Sequence, residues 1–314
     1  GKALSLQRSG HEVIRFYEPD FNLPGDFLMN HHSIFACNPD VIIYAKFHAF
    51  ASAKTMLVAR DKNIPTVSWM PDLFFGLERE KLITNNSLRL DYIKNIQDMD
   101  DPNDPPIFDS TYVFSPDGGN DDKFKQHNVN HSLVRQAIYD KCCYKGKPQE
   151  KIRYDGKEYK PDILFVGGKS GVHQYRTEMI NWMKETYGDR FLHVGWKSDE
   201  DFRMDDLNNL IATCKIVIGE SVYSPYYWSN RLYETIGRGG FMIHPFVEGI
   251  DKEYKDGDHF ITYKSGDFKD LYDKMEYFLK NDIQRQKIAD EGMKYTMENH
   301  TLMNRAKQVM DIIS

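Results

Sequence analysis

Short apolar runs bounded by glycine, proline or polar turns alternate with helix-spaced segments along most of the chain. The opening residues, GKALSLQRSG, read as the body of a helix ending in a turn at Gly10, and HEVIRFYEP (11–19) reads as a strand. An α/β unit normally opens with a strand, so the first strand of the N-terminal domain and its following loop are expected to be missing from the chain. NPDVIIYAKFH (38–48) carries a run of apolar residues that suits a strand buried on both faces. A helix over 49–63, a strand over 64–72, a polar proline-rich loop over 97–106 and strands over 110–118 and 130–139 follow.

Near residue 140 the apolar period lapses. KIRY-DG-KEYK predicts a hairpin, because Asp155-Gly156 tolerates the positive φ angles of a type I′ turn. The βα rhythm then restarts, with strands DILFVGG, RFLHVGW, KIVIGES, GGFMIHP and DHFITYK, and helical spacing in the segments between and after them. The pattern predicts an α/β protein of two Rossmann-like domains with parallel sheets facing across a cleft, with an N-terminal domain over 1–142, a linker and hairpin over 143–160 and a C-terminal domain over 161–299.

In open parallel sheets, ligands bind beyond the carboxyl ends of the strands. That rule selects Gly167-Gly168-Lys169, Gly195-Trp196-Lys197, Glu220-Ser221 and His244-Pro245 in the second half. In the first half it selects Lys46 and His48, Met70 to Asp72 and Ser115 to Asp117. The glycines of FVGGKSGVHQYR let a backbone approach a ligand closely, and Lys169 and Arg176 can neutralise phosphates. The plain alternative is a flexible glycine turn with solvated charges.

SNRLYETIGRGGFMIHP (229–245) is preceded by a loop rich in tyrosine and serine that includes Tyr226. A helix starting near Ser229 aims its first amides at a diphosphate. Glu234 lies one turn beyond Asn230 on the same face, where a carboxylate can accept hydrogen bonds from two vicinal ribose hydroxyls, and Arg231 supplies positive charge. The plain alternative here is a Ser229 N-cap with an Arg231–Glu234 surface pair.

Composition narrows the field. Hydrophobic residues make up 40% and charged residues 28%, ordinary for a globular enzyme, and the net charge of −6 argues against coverage by nucleic acid. Four cysteines without a CxxC pair suit a reducing compartment, and no apolar run is long enough to span a bilayer, so a cytoplasmic protein is expected. Seven Lys or Arg between 141 and 160 suggest contact with a polyanion or simply a solvated face. The acidic pairs of MDDPND and GGNDDKF lie in polar loops and are read as solvated, and no metal site or bound cofactor is expected.

ILFVGG…YR, LNNLIATCKIVIGES, SNRLYETIGRGGFMIHP, DGDHFITYKSGDFKDLYDKMEYFL and IADEGMKYTMENHTLMNR occur in this order over about 162–305. This ordered set resembles the C-terminal domain of GT-B glycosyltransferases related to group 1, especially the CgeB/YkvP-like group. The resemblance implies a metal-independent hexosyltransferase that takes a nucleotide-sugar donor, with uridine (UDP) favoured on frequency. It implies that Glu234 holds the ribose, that Asn230 and Arg231 neighbour the diphosphate, that Arg176 is the basic residue after the first strand of that domain and that the loop at Trp196 lies by the base. Tyr226 stands where retaining members carry an earlier glutamate, a departure from the Glu-x7-Glu pattern. The resemblance also implies catalytic roles for His48 or Asp72 near the acceptor hydroxyl, and a C-terminal helix (300–314) packed back on the first domain. The acceptor stays open among glycan, protein, small molecule and modified DNA base. Alternative readings are a nucleotide-sugar epimerase, a phosphorylase, or a non-catalytic coat or scaffold protein on the same fold.

Overall fold

The computed structural model describes residues 2–16, 33–44, 58–70, 73, 110–126, 128–168, 175–195 and 202–314. The chain divides into two compact units: Lys2–Arg135 with Ala306–Ser314, and Gln136–Arg305.

The first unit holds α1 (Lys2–Arg8) and a parallel sheet of β1 (Ile42–Tyr44), β2 (Thr66–Trp69), β3 (Tyr112–Ser115) and β4 (His131–Leu133), in that spatial order. A short helix, α2 (Asp121–Gln126), follows β3. Its core gathers Val67, Trp69, Phe114 and Val134 from the sheet region with Val309 from near the C-terminus. The strand expected over 11–19 is not found over its described part. Residues 11–16 join no sheet, and instead hang from α1 through Gln7 Nε2 to Val13 O (3.3 Å) and Arg15 to Gln7 (3.4 Å). Ile14 is 52% exposed, so this apolar side chain is not buried as a sheet strand would bury it.

The second unit opens with Asp140–Cys142, a single 3₁₀ turn, and the hairpin of β5 (Ile152–Tyr154) and β6 (Lys157–Tyr159). Asp155 and Gly156 turn it with φ of 50° and 70°, the left-handed pair that the Asp-Gly dipeptide predicts. The division between units falls after Arg135, ahead of the boundary at 142 read from the sequence. Residues 143–160 belong to the second unit. Asn208 Nδ2 donates to Cys142 O (3.0 Å) and Tyr144 O (2.8 Å), and Ile152 and Tyr154 enter the core.

That core is built on a five-stranded parallel sheet of β7 (Ile163–Val166), β8 (Phe191–Val194), β9 (Ile216–Ile218), β10 (Met242–Pro245) and β11 (Ile261–Tyr263), in the order β11-β10-β9-β7-β8. Alternate strand residues project to opposite faces, and both sets are apolar. Ile163, Phe165, Ile216, Ile218 and Ile243 meet α3 (Arg176–Tyr187), α6 (Phe268–Lys280) and α7 (Asp282–Asn299). Leu164, Leu192, Val217 and Met242 meet α4 (Met204–Thr213), α5 (Arg231–Ile236) and the hairpin. The last helix, α8 (Leu302–Ile313), contributes Leu302–Arg305 to this unit and Ala306 onward to the first.

Candidate functional site

The order β8-β7-β9-β10-β11 reverses direction between β7 and β9, since the chain moves out to β8 and then back across β7. At such a reversal the connections leave on opposite faces and open a crevice at the strands' carboxyl ends. Three charged side chains converge there. Arg176, at the start of α3, donates from Nε to Glu220 Oε2 (2.5 Å) and from a terminal nitrogen to Gly168 O (2.9 Å). Arg231, at the start of α5, donates to Val166 O at the end of β7 and to Glu220 O (2.8 Å) just past β9. Both guanidinium groups lie near the Phe165 ring, at 5.7 Å and 4.8 Å from its centroid.

Arg176 and Glu220 are both buried, with side chains 5% exposed, which keeps their ion pair out of solvent screening. Among the described residues, the Glu220 carboxylate pairs with Arg176 while Arg231 bonds to main-chain carbonyls, so two guanidinium charges lie near one carboxylate. Burial, and next the charge of Arg176, bring the Arg231 pKa down to about 10, so it stays protonated at neutral pH with its charge incompletely balanced. Gly167 makes the arrangement feasible, because a Cβ there would run into the Arg231 guanidinium.

The neighbouring strand ends add uncharged polar atoms. His244, in β10, is wholly buried, and its Nδ1 lies 2.8 Å from Pro245 O. A carbonyl only accepts, so Nδ1 carries the proton and Nε2 is an acceptor. Burial lowers the His244 pKa to about 4, against smaller opposing effects that include Glu220, so the ring is neutral at pH 7. Nε2 of His244 and Oγ of Ser221 are buried without hydrogen-bond partners among the described residues. Gly219 admits the imidazole, since a Cβ there would strike the His244 ring. Excess positive charge beside unsatisfied polar atoms equips this end of the sheet to hold an anion that carries hydroxyl groups.

Glu234, the carboxylate singled out from the sequence, turns elsewhere. It forms an ion pair with Arg238, one turn further on, and among the described residues no hydrogen bond or ion pair joins it to Arg176 or Arg231. Neither the Arg231–Glu234 surface pair nor a Ser229 N-cap is present. Asn230 is the N-cap residue, without a side-chain cap bond, and Ser229 Oγ accepts from Arg231 N (3.3 Å). Asn230 is exposed. Tyr226 adopts a φ of 58°, donates its N–H to Glu248 O (2.9 Å) and lies under the Lys252 ammonium (5.1 Å). Gly167, Gly168, Arg176 and Arg231 are therefore brought together, while Glu234 faces Arg238. His48, Asp72, Lys169 and Trp196 lie outside the described residues.

Glu220 and His244 are among the strand ends that the sheet rule selects, but the sequence assigns neither of them a chemical role. Their signal was a polar residue directly after or within an apolar strand, which becomes specific only once β9 is known to lie beside β7. At the end of β3 in the first unit, Ser115 Oγ meets His131 Nε2 (2.8 Å), and Asp117 accepts from Asn120 (2.6 Å).

Residues 174–311 match the profile of a family described as glycosyl transferase-like. Solved structures agree over nearly the whole chain. Anabaena Alr3699/HepE in complex with UDP and glucose is similar with a TM-score of 0.56 at 11% identity, covering 94% of this chain and 84% of that one. A glycosyltransferase from Rickettsia africae has a TM-score of 0.59 at 11% identity, covering 98% and 86%. Sucrose-phosphate synthase from Thermosynechococcus elongatus has a TM-score of 0.54 at 14% identity, covering 95% and 79%. The fold is that of the GT-B glycosyltransferases. At these identities the likeness is one of fold. No curated protein matches the chain by sequence. Among the described residues, no helix is long and apolar enough to cross a membrane.

Proposed function

We propose that the second unit binds a nucleoside-diphosphate sugar, UDP-linked, and that the protein transfers its hexose to an acceptor hydroxyl without a metal ion. The observation that supports this reading is the buried Arg176–Glu220–Arg231 cluster, which carries more positive than negative charge at the sheet's reversal point. A diphosphate completes that balance. As the glycosidic bond breaks, negative charge grows on the leaving diphosphate, and fixed guanidinium groups stabilise it without reorganising. Glu220 keeps Arg176 aimed, and Gly167 and Gly168 let phosphate oxygens approach the backbone.

Glu234 is proposed to accept from the ribose hydroxyls, oriented by Arg238, and the loop at Trp196 to lie by the base. Tyr226, Ser229 and Asn230 would border the sugar and diphosphate. His48 or Asp72 is proposed to take the proton from the acceptor hydroxyl, a role open to an imidazole or a carboxylate within hydrogen-bond reach. The motif order extends the reading to the group 1-related, CgeB/YkvP-like enzymes, acting in the cytoplasm.

Thermal unfolding with UDP, GDP and TDP, each in EDTA, tests the proposal. UDP is expected to raise Tm, and Arg231→Ala to abolish the rise. No stabilisation by any of the three would overturn it. UDP-glucose alone should be slowly hydrolysed, whereas an epimerised sugar would assign the fold to an epimerase.

A further inference from the structure

A second hollow lies on the second unit, on the β10–β11 side of the sheet. It is an open hollow of about 410 Å³, within the range of small-ligand sites, bordered by Tyr223, Phe246, Thr262, Lys264, Asp270 and Lys274. Tyr223 and Phe246 are 58% and 50% exposed, an unusual state for two large rings bordering one cavity. The polar wall is held in place. Asp256 accepts from the Thr262 amide (2.7 Å) and hydroxyl (2.8 Å). Asp270 accepts from the Lys264 amide (2.8 Å) and from Lys274 Nζ (2.8 Å). The Lys264 charge acts on Asp270 without a direct ion pair among the described residues.

We propose that this hollow is a saccharide-binding subsite, separate from the strand ends that carry Arg176 and Arg231. A pyranose presents an apolar C–H face and a rim of hydroxyls. The face packs on exposed aromatic rings, and the rim bonds to charged groups held at fixed positions. Rings at the mouth and a fixed Lys/Asp wall supply both halves of that recognition in one cavity. Tyr263 lines the hollow, and its hydroxyl lies 3.5 Å from Gly219 O, one residue before Glu220. The choice of a saccharide among hydroxyl-rich ligands rests on the sugar-transfer reading above.

The test applies the full chain to an array of neutral and acidic oligosaccharides, alongside Tyr223→Ala/Phe246→Ala and the milder Tyr223→Ala. Thermal stabilisation by UDP is measured on all three. Retention of one or more saccharides by the parent chain is expected, falling at least tenfold in the double variant and partway in the single one, with the UDP response unchanged. Retention of no saccharide, or equal retention by all three chains, overturns the subsite. If UDP stabilises none of them while retention still depends on the two rings, the donor reading fails and the subsite stands. The single variant gives the answer if the double one does not fold.

Discussion

Arg176 and Arg231 both bond to Glu220 inside the second unit, Arg176 to its carboxylate and Arg231 to its main-chain oxygen. Replacing Glu220 with Gln leaves the buried Arg176 guanidinium without its carboxylate and removes the negative charge nearest Arg231. Breaking a buried ion pair costs roughly 3–5 kcal/mol, because the remaining charge keeps its desolvation penalty. Glu220→Gln is therefore expected to lower stability by about that amount in urea unfolding, with UDP restoring more stability to the variant than to the parent chain. His244 gives a separate signature. Its pKa is held near 4, against an ordinary 6.5, so between these values the unfolded chain binds the extra proton and the folded one does not. The stability contributed by the neutral ring is complete above pH 6.5 and is lost as pH falls towards 4, a change of up to about 3 kcal/mol. Urea unfolding across pH 7 to 4 is expected to be flatter for His244→Gln.

At the scale of elements, the hairpin β5–β6 links sequence to site most directly. Asp155-Gly156 turns it, Tyr154 enters the core, and the Tyr154 hydroxyl accepts the Gly195 amide (3.0 Å) at the end of β8. A surface hairpin thus braces the chain at the carboxyl end of β8. Gly156→Ala forces an L side chain to a φ of 70°, and no neighbour lies close enough to add a steric penalty. The expected cost is about 1 kcal/mol from backbone strain alone, read from the thermal midpoint. The strand predicted over 11–19 marks the limit of such local reading, since its described residues 11–16 bond to α1 and join no sheet.

At the scale of the molecule, α8 belongs to both compact units. Val309 is fully buried among Val67, Trp69, Phe114 and Val134, and Gln308 Nε2 donates to Leu133 O (3.0 Å). The end of the chain therefore completes the core of its first unit. Val309→Ala is expected to destabilise that unit by about 2 kcal/mol, since two buried methyl groups and their packing are lost. Hydrogen exchange should show faster opening of β2, β3 and β4 amides, with the amides of β7, β9 and β10 unchanged.

The sequence by itself determined what depends on near neighbours along the chain. It set the strands whose two faces are both apolar, the Asp-Gly hairpin, the helices between and after the strands, and the strand ends where charged and polar side chains gather. Those signals are local, because burial on two faces, positive φ and helical spacing are each written in a few consecutive residues. The pairing of charges was decided only by the tertiary structure. Glu220 meets Arg176 from 44 positions away because β9 returns beside β7, and Glu234 meets Arg238 instead of Arg231 because the first residue of α5 is drawn across to Val166 and Glu220. A side chain long enough to reach several partners is placed by the neighbours that the sheet order brings near, and that order is not written in any short stretch of sequence.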